Sequence, residues 1–92
     1  MISIRRVVGN SMLPTLKNGQ LVGISSFKKP KVGDVVMAVQ NKREVIKRIA
    51  SIHHNWQVEL RGDNTAASTD SRLHGTISMR NVQGVVVWPR LK

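Results

Sequence analysis

Short runs rich in Val and Ile recur along the chain, each broken after a few residues by Gly, Asn, Pro or Asp. Such runs suit a pleated, half-buried surface. The pattern therefore predicts strands over Ile2–Val8, Gln20–Ser25, Asp34–Val39, Glu44–Ile52, Trp56–Arg61 and Val82–Trp88. Between them lie turn-forming stretches: Lys17-Asn18-Gly19, Lys31-Val32-Gly33-Asp34, Gln40-Asn41-Lys42-Arg43 and His53-His54-Asn55. Asn18-Gly19 is a strong turn signal, because both residues tolerate positive φ. No segment sustains a 3.6-residue period. Only Ser11–Leu16 allows one short turn of helix, capped by Ser11 or Asn10. Gly62–Gly75 is polar and longer than a hairpin connection needs, the mark of a functional or disordered loop. The expectation is a mainly β domain: a small antiparallel β-barrel or pair of packed sheets, with one short helical turn and one long polar loop.

Length and composition narrow this further. A chain of 92 residues has room for one core, so residues 1–92 read as a single domain. Phe27, Trp56 and Trp88 are its only aromatics, which leaves the packing to branched aliphatics. With no cysteine, disulfide scaffolds, thiolate-zinc sites and cysteine nucleophiles are excluded. No stretch free of Asp, Glu, Lys and Arg exceeds ten residues, whereas a membrane-spanning helix needs roughly 20 apolar ones. Met1–Arg6 lacks an apolar signal core. These features predict a soluble, cytoplasmic chain without a transmembrane anchor. Lys and Arg number 15 against 5 acids, a net charge of +10, which points to nucleic acid, anionic lipid or an acidic partner.

Three segments carry candidate chemistry. In Gly9-Asn10-Ser11-Met12-Leu13-Pro14-Thr15-Leu16, Ser11 stands where a strand ends and a short helical turn begins. That junction exposes Oγ and aims free backbone N–H groups outward, as a nucleophile needs; taken alone, the segment fits an ordinary N-cap serine better. In Glu44-Val45-Ile46-Lys47-Arg48-Ile49-Ala50, strand alternation puts Val45, Lys47 and Ile49 on one face. Desolvation there disfavours the ammonium and makes the amine a base, unless Lys47 snorkels to an edge. In Arg61–Arg72, two of the chain's five acids, Asp63 and Asp70, are interleaved with serines. Asp70 and Arg72 are close enough in sequence to pair, and Asp63 is free to reach another cation. A solvated loop would look similar.

Taken together, these segments resemble the type I signal peptidase family of Ser/Lys proteases. The resemblance rests on Gly9 to Val22, Gly33-Asp34-Val35-Val36, Ile46-Lys47-Arg48 and Gly62 to Arg72, in the family's order and spacing. It implies a β-rich fold of the signal peptidase and repressor-protease type, with Ser11 as nucleophile and Lys47 as general base, a variant of the triad logic. It further implies that Ser68 orients the lysine amine, that Asp63 pairs with Arg48 and Asp70 with Arg72, and that the Ser11 N–H serves the oxyanion. Val7, Met12 and Ile46 would contact substrate. The chain departs from the family in lacking the anchor and the large second β-domain. It also has Gly9 where some members carry a hydroxyl, Arg5 where an apolar residue is usual, and His74 where an aromatic precedes the glycine. It is more similar to a small soluble branch, the maturation proteases of nickel-type superoxide dismutase, in length, in the Arg61–Arg72 loop and in the terminal Trp88-Pro89.

The resemblance implies a substrate rather than a cofactor: the N-terminal propeptide of a soluble precursor, entering as an added strand. Arg5 and the cluster Lys28-Lys29-Pro30-Lys31 would favour acidic residues on it. Neither cofactor nor metal is expected, and His53, His54 and His74 read as solvated or loop-closing residues rather than as a base or ligand set. Two rivals compete. A non-catalytic basic β-barrel binding nucleic acid would use the charge, yet three aromatics make a poor stacking platform. A self-cleaving repressor protease shares the dyad, yet needs a cleavable segment upstream of Ser11 and lacks the Gly-Asp-Asn loop.

Overall fold

The computed structural model describes residues 2–64 and 75–91. Its strands are β1 (Ile2–Arg6), β2 (Leu21–Ser25), β3 (Val35–Gln40), β4 (Arg43–Ile52), β5 (Gln57–Arg61), β6 (Ile77–Ser78) and β7 (Val82–Trp88). They form one antiparallel sheet in the order β1-β2-β7-β3-β4-β5-β6. All six expected strands are present, Val82–Trp88 with the bounds expected and the other five with shifted ends. Trp56 falls outside β5 because its φ of 61° belongs to a turn. The two-residue β6 and the 3₁₀ turn Met79–Asn81, capped by the Ser78 hydroxyl, are additions that periodicity cannot detect in so few residues. Ser11–Leu16 makes a turn held by Leu16 N–H to Met12 O at 2.9 Å and entered through Leu13 N–H to Asn10 O at 3.2 Å.

Between β3 and β4, Asn41 and Lys42 take φ of 54° and 66°, and Gln40 pairs with Arg43. Positive φ at both central residues matches the right-handed twist of the flanking strands, so the register of β4 is fixed from this end. The central strands bury apolar side chains on both faces. Val22, Ile24, Val35, Met37 and Val86 form one cluster with Val7, Met12 and Leu16. Val36, Ala38, Ile49, Val58, Leu60 and Val85 form the other. Met12 and Leu16, at 1% and 0% exposure, are thus the feet that seat the Ser11 turn on the sheet.

Candidate active site

A cleft of about 470 Å³ lies between the end of β1 with its following turn and the start of β4. Val7 and Ser11 line it from one side, Ile46 and Lys47 from the other, with Met37 between. β1 ends before Gly9, whose φ of +87° turns the chain, and the Gly9 N–H is held by the Asn18 side chain at 2.8 Å. Ser11 follows, half-buried. Among the described residues its N–H has no acceptor.

On β4 the register sets Lys47 opposite Val36, and Ile46 opposite Met37. Directly opposed residues share a face, so Lys47 stands on the side of Val45 and Ile49. It is half-buried. Ser11 and Lys47 border the same cleft without a hydrogen bond between them. Val7 and Ile46 combine cleft lining with core packing. Met12 does not line the cleft: an expected substrate contact, it is packed into the core instead, because the turn directs it inward as an anchor.

The residue next to Lys47 ties the two sides together. Arg48 grips Asp63 with both arms, Nε to Oδ1 at 2.9 Å and Nη2 to Oδ2 at 2.7 Å, while Nη1 donates to Gly33 O at 2.7 Å. The Thr15 hydroxyl donates to the same Asp63 carboxylate. Asn64 then holds both carbonyls flanking Ser11: its N–H donates to Ser11 O at 2.8 Å and its side-chain amide to Asn10 O at 3.0 Å. Asp63-Asn64 is therefore a buckle fastening the Ser11 turn to the strand of Lys47. The Arg48 guanidinium, aided by the Thr15 hydroxyl, holds the Asp63 carboxyl below the usual carboxylate range against the opposing effect of burial. The bonded carboxylate correspondingly raises Arg48.

The sequence pattern assigns no role to Thr15, Asn64 or Arg43, although the first two stand within the quoted motifs; Arg43 lines the cleft mouth. Ser68, Asp70, Arg72 and His74 lie outside the described residues. His53 and His54 are exposed at the β4–β5 turn, where the His53 ring lies 3.3 Å from the Ser51 hydroxyl; neither lines the cleft. Lys28 lines a separate cavity of about 290 Å³ with Asp34, Arg48 and Arg90, so the Lys28–Lys31 cluster is not part of the cleft. Among the described residues no helix is long and apolar enough to cross a membrane. A family model described as Peptidase S24-like matches residues 3–87 of the chain. No curated protein matches it.

Proposed function

The chain belongs to the Peptidase S24-like family, and from that premise we propose that it is a serine endopeptidase working with a Ser11/Lys47 dyad. The observation that supports this best is the meeting of Ser11 and Lys47 on one cleft, from elements distant in sequence. In this reading the Lys47 amine takes the proton of Ser11 as Oγ attacks the scissile carbonyl, then passes it to the leaving amine. The Ser11 N–H steadies the oxyanion, and water releases the acyl group by the same route in reverse. The signal peptidase resemblance further assigns Ser68 to orient the amine and Asp70 to pair with Arg72. Val7 and Ile46 line the cleft, where the signal peptidase resemblance implies a pocket for small side chains.

The substrate in this proposal is the N-terminal propeptide of a cytoplasmic precursor, laid into the cleft as an added strand. The nickel superoxide dismutase proenzyme is the candidate, on the likeness of the Arg61–Arg72 loop and Trp88-Pro89 to that maturation branch. Incubating the purified chain with the proenzyme should release a short N-terminal fragment, read by intact mass. Ser11→Ala and Lys47→Ala should each abolish release while remaining folded, and the double variant should be no worse, because the two act as a unit. Full activity in Lys47→Ala would sink the dyad. An untouched proenzyme alongside efficient cutting of another leader would overturn the substrate and leave the protease.

A further inference from the structure

The cleft is cationic well beyond its catalytic need. Arg5 and Arg6 line it from β1 and Arg43 from β4, in addition to Lys47, against the single lining carboxylate of Glu44. These guanidiniums are not equally committed. Arg6 donates to Gly19 O at 2.8 Å. Arg5 donates from Nη1 to the adjacent carbonyl Ile4 O at 3.0 Å and reaches across the cleft to Glu44, Nε to Oε1 at 3.6 Å, the two side chains being 41% and 52% exposed. Arg43 has no acceptor among the described residues. The cleft thus presents one loosely held and one unmatched guanidinium on opposite walls, and Glu44 shows that a carboxylate fits between the walls.

We propose that the cleft selects peptides carrying an acidic side chain within a few residues of the scissile bond, its carboxylate received by Arg5 and Arg43. This rests on the protease reading above and adds the chemical class of the substrate. An incoming Asp or Glu replaces Glu44 on Arg5 or pairs with Arg43, whereas a Lys or Arg meets like charge and is turned away. Exposed pairs are individually weak, a few-fold each, so two of them amount to roughly tenfold in discrimination at low salt. Screening then erodes that preference as ionic strength rises.

Matched peptides bearing Asp, Asn or Lys at each position around a small-residue cleavage site provide the test. Competitive cleavage gives relative kcat/KM, and fluorescence anisotropy with Ser11→Ala gives binding without turnover. At one or more positions the Asp peptide should be preferred over the Lys peptide by about tenfold at low salt. The preference should shrink several-fold near physiological salt. Arg43→Glu should level or invert it, and Arg5→Glu should do so independently. Cleavage at equal rates for Asp and Lys peptides at every position would overturn the inference while leaving the protease intact. Charge-selective binding without any cleavage by the unsubstituted chain would support the inference and remove the protease reading. An unchanged preference in both Arg variants would refute the assignment of these two residues.

Discussion

Arg48 and Asp63 are the residues on which the site's geometry turns, since their bidentate bond joins the strand of Lys47 to the loop that holds Ser11. Their side chains are only 26% and 18% exposed, so removing one partner strands the other's charge in a poorly hydrated place. Asp63→Asn or Arg48→Met should cost roughly 2–3 kcal/mol, below the figure for a fully buried pair. A double-mutant cycle should recover most of this as coupling, and strict additivity would deny the bond any energetic role. The pH dependence follows in sign. Asp63 titrates lower in the folded chain than in the unfolded one, so its contribution is complete above an unfolded value of about 3.9 and is lost as pH falls through the folded value. Arg48 is raised and loses nothing until far above neutrality. Acid unfolding of the unsubstituted chain should therefore steepen below about pH 4, and Asp63→Asn should flatten it. This pair was legible in the motif resemblance, which named both partners. Thr15 and Asn64 were not, because a hydroxyl and an amide reaching across the fold leave no periodic trace in the chain.

At the scale of elements, each strand was readable from its Val and Ile content, but their order was not. Hairpin pairs such as β3–β4 follow from the Asn41-Lys42 turn, whereas the insertion of β7 between β2 and β3 depends on pairing with strands far earlier in the chain. Gly84 records that insertion. A Cβ there would lie 2.5 Å from Ile24 Cγ2 and 2.8 Å from Ser25 O, so β7 approaches β2 too closely for any side chain. Gly84→Ala should cost about 1–3 kcal/mol by overpacking, seen as a lower urea midpoint with an unchanged slope. The connection after β5 makes a contrasting case. Asn64→Ala keeps the backbone bond to Ser11 O and loses the exposed side-chain bond to Asn10 O. Loss of that exposed bond should lower stability by about 1 kcal/mol. If Ser11 is the nucleophile as proposed, turnover should fall about tenfold or more with KM little changed, since a small displacement of the attacking atom is costly to rate. Equal losses in both would mean that Asn64 braces the fold and does not position Ser11.

Across the whole molecule, a net charge of +10 meets only three ion pairs among the described residues: Arg5–Glu44, Arg48–Asp63 and Arg61–Glu59. Most of the basic residues therefore see more repulsion than attraction, and self-repulsion weakens the compact state. The screening length contracts from about 30 Å at 0.01 M to about 8 Å at 0.15 M. Cations spread over a small domain are decoupled by that change, while a contact pair such as Arg48–Asp63 at 2.7 Å is largely spared. Salt should thus stabilise the fold: relief of about 1 kcal/mol corresponds to a rise of roughly 4–8 °C in Tm for a domain of this size. Over the same buffer series, cleavage of an acidic peptide should slow, because the exposed Arg5 and Arg43 lose their reach. The two curves have opposite signs, which separates a charge that serves substrate capture from one that holds the protein together. A Tm that fell with salt would assign the net stabilising electrostatics to surface pairs. A far steeper loss of affinity for DNA than for any peptide would return the basic surface to nucleic acid, where each neutralised phosphate adds about one unit to the salt slope.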